Sequence, residues 1–167
     1  MSNRVFAIAD THFGHKNIIN YAPETRPFDS IEEHDEELIR RWNDTVRKND
    51  TVWHLGDAVF GAHNLPILRR LNGIKHLVMG NHDHYPVAEY LKYFSKVHGA
   101  VQYRGCILTH IPVHPGQLGR FKGNVHGHLH SCQLSDRRYV CVSAELTNLT
   151  PLLMDAAIGK LLEDPST

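Results

Sequence analysis

Ile74-Lys75-His76-Leu77-Val78-Met79-Gly80-Asn81-His82-Asp83-His84 is the stretch that decides how this chain is read. Ile74 to Met79 is largely branched and apolar, as in a strand buried within a sheet, and it stops at Gly80, which can turn where other residues cannot. Everything after the glycine is polar. Asn81, His82, Asp83 and His84 carry groups that ligate metals or move protons, and they fall just past a strand end, where open α/β sheets place ligand sites. A polar turn with satisfied histidines would look the same over Gly80 to His82, so the flanking sequence has to decide.

Working outward, the same arrangement recurs. Thr51 to Leu55 reads as a strand followed by Gly56-Asp57, and Val5 to Ala9 as a strand followed by Asp10-Thr11-His12. Asp-x-His puts a carboxylate and an imidazole on one side of an extended segment, because side chains alternate with period two. Downstream, Cys106 to Thr109 ends at His110, and Gly123-Asn124-Val125 leads into His126-Gly127-His128-Leu129-His130. Strand ends thus deliver Asp10 with His12, Asp57, Asn81 with His82, His110, and His128 with His130. Mixed oxygen and nitrogen donors suit manganese, iron or zinc rather than a cysteine-rich structural zinc site. They are too many for one tetrahedral ion, so the inventory asks for two metals.

The segments between these ends alternate with them. Ser30 and Glu33 form a capping box ahead of Ile31, Leu38, Ile39, Trp42 and Val46 at helical spacing, which predicts a long amphipathic helix to about Val46. Asn64 and Pro66 open a short helix through Leu71, Pro86 to Phe94 reads as another, and Thr150-Pro151 caps a terminal one to about Leu162. Val97 to Tyr103 is a strand or hairpin arm, and Arg138 to Ala144 a further strand. The proline-bearing Tyr21 to Phe28 cannot be regular helix. Near it, His15, Asn17 and Arg26 are candidates for holding a phosphate, Arg26 through its bidentate fork. The irregular Ile111 to Lys122 suits the rim of an active site.

With 167 residues, a 41% hydrophobic share and a 22% charged share, the chain is expected to form a single domain over 1–167 with an ordinary core. Lys+Arg and Asp+Glu are both 18, so no net charge draws it to nucleic acid or a membrane, and any affinity for an anion must be local. The 14 histidines are the departure from average, and many are clustered. Cys106, Cys132 and Cys141 show no C-x-x-C spacing; Cys106 and Cys141 read as buried fillers. Neither a signal peptide nor a membrane-length apolar run is visible, so a cytoplasmic setting is expected, or a host cytoplasm for a phage-encoded chain.

Taken together, Asp10-Thr11-His12, Gly56-Asp57, Gly80-Asn81-His82-Asp83, His110 and Gly127-His128-Leu129-His130 resemble the calcineurin-like metallophosphoesterases, whose pattern runs D-x-H, G-D, G-N-H-[DE], H and G-H-x-H. The flanking Thr11 to Asn17 and Arg26-Pro27-Phe28 look like a small bacterial and phage-type branch of that family. The resemblance implies an α/β fold, a four-layer α/β/β/α sandwich with the metals at the strand ends. It implies one metal held by Asp10, His12, Asp57 and His130 and a second by Asp57, Asn81, His110 and His128, with Asp57 bridging. It also favours His82 as the general acid at the leaving oxygen, a task imidazole suits near neutral pH.

The function this predicts is hydrolysis of phosphate esters by in-line attack of a hydroxide shared by two divalent ions. Manganese is favoured for those ions, with iron, zinc, nickel or magnesium as alternatives. The expected substrate is a phosphorylated small molecule or nucleotide, with a lean to phosphodiesters. A phosphomonoesterase, a nuclease and a catalytically idle metal-binding scaffold are the alternatives; a metallo-β-lactamase is rejected because its Asp-His pair is missing. The roles of His84, His114 and His126 stay open: a place behind the ligands is plausible for His126, and a structural or rim place is favoured for His84.

Overall fold

A computed structural model describes residues 3–161. The strands are short: β1 (Val5–Ile8), β2 (Thr51–His54), β3 (Ile74–Val78), β4 (Lys96–His98), β5 (Val101–Tyr103), β6 (Cys106–Leu108), β7 (Asn124–His126), β8 (Tyr139–Cys141) and β9 (Leu152–Leu153). They form two sheets, one ordered β4-β3-β2-β1-β9 and the other β5-β6-β7-β8. In the first, β1 to β4 run parallel, so the ends that follow β1, β2 and β3 open on one side of the molecule.

Alternation along these strands divides the core in two. Phe6, Ile8, Val52 and Leu77 point to one side, where they meet Leu38, Ile39 and Trp42 of the long helix. Ala7, Trp53, Leu55 and Val78 point to the other, against Leu108, Val125 and Val140 of the second sheet. That helix spans Ile31–Thr45, and its Ser30 hydroxyl accepts from the Glu33 N–H at 3.1 Å, the expected cap. The outer face of the second sheet, with Ile107, Asn124 and Tyr139, is covered by the 111–122 segment. Asn124 Oδ1 accepts from the Val113 N–H at 2.9 Å, and the Tyr139 hydroxyl donates to the Val113 carbonyl at 2.7 Å. The rim of the site is therefore pinned to the sheet beneath it.

Several expected elements differ in detail. The segment after Gly61 is a 3-10 helix over Ala62–Arg70, beginning before Asn64 and carrying Pro66 inside it. The helix expected over 86–94 is α-helical only at Val87–Tyr90, because Tyr90 and Phe94 must both turn into the core before β4 begins. Val97 to Tyr103 is not one strand: β4 closes the first sheet, Gly99-Ala100 crosses over, and β5 opens the second. After Pro151 the chain first pairs with β1 as β9, supplying partners for backbone groups at that strand's open side, and only then forms the helix Met154–Lys160. Leu162 lies outside the described residues. Cys106 and Cys141 are buried as expected, and Cys132 is exposed. Among the described residues no helix is long and apolar enough to cross a membrane.

Candidate metal centre

The expected ligands are brought together by turns that few side chains tolerate. Asp10, His12, Asp57, His128 and His130 all have positive φ, between 50° and 69°. Left-handed backbone at a residue other than glycine costs of the order of 1–3 kcal/mol and persists where surrounding structure holds it. What holds it here is a set of hydrogen bonds to buried carboxylates. The Asp83 carboxylate accepts from the N–H groups of Asp57 (2.7 Å), Gly80 (2.9 Å) and Ala58 (3.1 Å), tying the turn after β3 to the turn after β2. Asp10 Oδ2 accepts from the Ser143 hydroxyl at 2.6 Å and the His128 N–H at 2.9 Å, joining the turn after β1 to the one after β7.

These bonds use one oxygen of Asp10 and leave the other free. Asp10 Oδ1 and both ring nitrogens of His12 are buried with no hydrogen-bond partner among the described residues. One donor atom from each of Asp10, His12 and His130 lies within 4.8 Å of the others, and the same holds for Asp10, Asp57 and His110. Asp57 Oδ2 is 3.9 Å from His12 Nε2 and 3.3 Å from His110 Nε2, so one oxygen faces both groups. Asn81 Oδ1 is 2.9 Å from the same His110 Nε2, and the His128 ring stands 5.1 Å from that of His110.

Protonation is set to match. His110 Nδ1 donates to the Leu55 carbonyl at 2.7 Å, and His130 Nδ1 to Glu145 Oε1 at 2.9 Å, which leaves Nε2 of each ring as the nitrogen available to a cation. Burial pushes His110 down, yet the neighbouring Asp57 carboxylate raises it, and Glu145 likewise raises His130 against the opposing effect of burial. Burial pushes the carboxyls of Asp10 and Asp57 up, yet hydrogen bonds and charge from His12, His110 and Ser143 around Asp10, and from His110, His82 and His12 around Asp57, hold both below the usual range. Two ionised carboxylates, one with an unpartnered buried oxygen on Asp10, beside the unpartnered ring nitrogens of His12 make a pocket that fits divalent cations.

Close approach at glycine makes the pocket possible. A Cβ on Gly127 would sit 2.4 Å from the Ala9 Cβ and 2.7 Å from Asp10 Oδ2. Gly127→Ala is therefore expected to lower stability by about 1–3 kcal/mol and to weaken metal uptake. Thermal melts with and without manganese check this against Gly119→Ala, where nothing lies within 4 Å.

The remaining expected site residues divide. His82 is exposed at the mouth; its N–H donates to Asp57 Oδ1 at 2.9 Å, while its ring lies 6.0 Å from the His12 ring and 4.9 Å from Phe60. His15 stacks on Phe60 at 3.9 Å, 5.5 Å from the His12 ring, and burial with the nearby His12 and His82 pushes its pKa down to about 4. Asn17 is exposed at the start of the short helix Ile18–Tyr21. Arg26, expected on a phosphate, is fully buried, and its guanidinium is spent on Asp10, Thr11, His34 and Glu145. His126 packs against Tyr139, His84 lies exposed beside Tyr85, and His114 Nδ1 accepts from the Gly116 N–H.

Glu145 and Ser143 are the supporting residues that the sequence pattern did not single out. Both follow β8 and belong to none of the five blocks. The only hint was their nearness to a strand that alternates toward the core.

An α/β sandwich with clustered Asp, His and Asn donors at its strand ends defines a class of metal-site proteins. Comparisons narrow it. The sequence profile of the calcineurin-like phosphoesterases matches residues 3–165, and the chain belongs to that family. It is 32% identical to an uncharacterized protein of Methanocaldococcus jannaschii over 96% of this chain and 92% of that one. It is also 32% identical to the gene 66 protein of Mycobacterium phage L5, over 82% of each. Among solved structures, a protein of unknown function from Aquifex aeolicus superposes with a TM-score of 0.76 at 26% identity, covering 96% of this chain and 100% of that one.

Proposed function

We propose that this protein hydrolyses phosphodiesters, with two divalent cations held by Asp10, His12, Asp57 and His130 and by Asp57, Asn81, His110 and His128. The observation that carries the reading is the pocket of buried, unpartnered lone pairs on Asp10 and His12, with Asp57 facing both donor groups. Bound there, the cations supply Lewis-acid charge against the phosphoryl oxygens and an activated nucleophile near neutral pH. They also provide the local positive field that a net charge of zero lacks.

The chain's own residues do the rest. Asp57 fixes the backbone of His82 through its N–H, so the exposed imidazole is held at the mouth, where it donates a proton to the leaving oxygen. Phe60 packs beside that ring and limits the directions it can take. His15, held neutral, offers a hydrogen bond rather than a charge to a bound phosphate, and Asn17 is a second candidate contact. Exposed His82 and Asn81 leave the mouth open to a phosphate esterified on two sides, which favours a diester such as that of a nucleotide. Manganese is the favoured ion, from the oxygen and nitrogen donor set.

The test is metal-stripped protein reloaded with manganese, nickel, zinc or magnesium, then assayed on matched mono- and bis-nitrophenyl phosphates. Faster hydrolysis of the diester supports the reading. A monoester rate equal or higher makes the protein a phosphatase instead, and no turnover with any ion leaves a metal-binding scaffold.

A further inference from the structure

We propose that the buried Arg26–Glu145 pair positions one of the two metal sites and not the other: the site framed by Asp10, His12 and His130. The inference rests on the two-metal reading above and goes beyond it by separating how the two positions are built.

One guanidinium is tied to the turn that carries Asp10 and His12 and, through Glu145, to His130. Arg26 Nη2 donates to the Asp10 carbonyl at 2.5 Å and Nη1 to the Thr11 carbonyl at 3.1 Å, so the turn that carries Asp10 and His12 is gripped from behind. Both of those ligands have left-handed backbone, with φ of 57° and 51°, which relaxes unless something retains it. Arg26 Nε donates to Glu145 Oε1 at 2.9 Å, with Nη2 2.8 Å from the same oxygen, and that oxygen also accepts from His130 Nδ1. The third ligand is thereby aimed through Glu145.

The grip continues outward into the long helix. Arg26 Nη1 donates to His34 Nε2 at 2.6 Å, so His34 Nδ1 carries the proton that it shares with Asp35 Oδ1 at 2.8 Å. Asp35 Oδ2 in turn accepts from the Gly14 N–H at 2.9 Å, on the far side of His12. The turn is thus held at residues 10, 11 and 14 by one buried chain of polar groups. The side chains of Arg26 and Glu145 are both 0% exposed, so water does not screen the pair.

The other position takes its support elsewhere. His110 is oriented by the Leu55 carbonyl, and the turns bearing Asp57 and Asn81 are joined by Asp83. Asp57 contributes to both sites and Asp10 lies near both donor groups; the Asp57 N–H is fixed by Asp83, and its carbonyl accepts from the His12 N–H at 3.1 Å, so Arg26 reaches it only through the turn it grips. Disturbing the Arg26–Glu145 pair should therefore loosen one ion and spare the second.

Removing one partner alone would strand a buried charge and threaten folding, so the main variant removes both, as Arg26→Met with Glu145→Gln. Arg26→Lys is the second variant: it keeps the charge but cannot reach both backbone carbonyls and Glu145 together, so it carries the same test if the double variant does not fold. Manganese is titrated into metal-stripped protein by calorimetry, bound ions are counted by elemental analysis after gel filtration, and the manganese resonance spectrum is recorded. Wild type should bind two ions with a spin-coupled spectrum. The folded variant should retain one ion at nearly unchanged affinity, with the other weakened about 10–100-fold and the spectrum replaced by that of an isolated ion. Two ions bound with unchanged affinities, or both weakened equally in a folded variant, would overturn the assignment while leaving the two-metal reading intact. Wild type binding fewer than two ions would overturn that reading and this inference with it.

Discussion

Asp57→Asn should leave a folded protein that has lost tight metal binding and, with it, turnover. Asparagine is the informative replacement because position 57 has φ of 56°, a conformation that Asn adopts more readily than most residues. Its amide oxygen can still accept the His82 N–H, and its own N–H can still donate to Asp83, so the junction between the two turns survives. What disappears is one negative charge facing both donor groups. Two unit charges about 4 Å apart interact by roughly 4 kcal/mol at an effective dielectric constant near 20, and a divalent ion doubles that, so at least about 10³ in affinity should be lost for each cation the missing charge faces. Circular dichroism should report native secondary structure, elemental analysis should find little retained metal, and diester hydrolysis should fall to background. Retention of both ions by the asparagine variant would remove Asp57 from the proposed bridge.

His82→Ala should give the opposite pattern, with metals kept and chemistry slowed. The link from residue 82 to the ligand set is its backbone N–H on Asp57 Oδ1, which alanine preserves, while the imidazole is exposed at the mouth. Loss of a general acid costs about 10² to 10⁴ in rate when the leaving oxygen needs a proton. Nitrophenolate leaves without one. The deficit should thus be large for an alkyl diester and small for a nitrophenyl diester, at unchanged metal content. Equal deficits on both esters would show that His82 binds or orients substrate and does not protonate it.

The strand ends could be read from residue order because burial and chemistry change abruptly there. Val5 to Ile8, Thr51 to His54 and Ile74 to Val78 are apolar enough to be interior strands, and each gives way to glycine or aspartate within two residues. Lengths and helix types were less legible. The 3-10 geometry at Ala62–Arg70 and the early end of Val87–Tyr90 follow from what those residues must reach in the core, which local propensity does not record. The sheet change at Gly99-Ala100 left no sign beyond a glycine and a small neighbour.

Arg26 marks the boundary between the two kinds of information. An arginine in a proline-rich loop, close in sequence to Asp-x-His, has the chemistry of a phosphate clamp, and nothing local distinguishes that role from a buried one. Its partner Glu145 lies 119 positions away, so only the folded chain could show that the guanidinium turns inward. Order and spacing alone determined the strand ends and the donor inventory, because strand periodicity and ligand type are properties of short segments, and the five motif blocks in order carried the resemblance that implied the family and its α/β class. Which oxygen of Asp10 is spent on hydrogen bonds, which carboxylate faces both donor groups and which charge aims His130 were decided by tertiary structure, since each depends on atoms from turns brought within about 3 Å by the packing of two sheets.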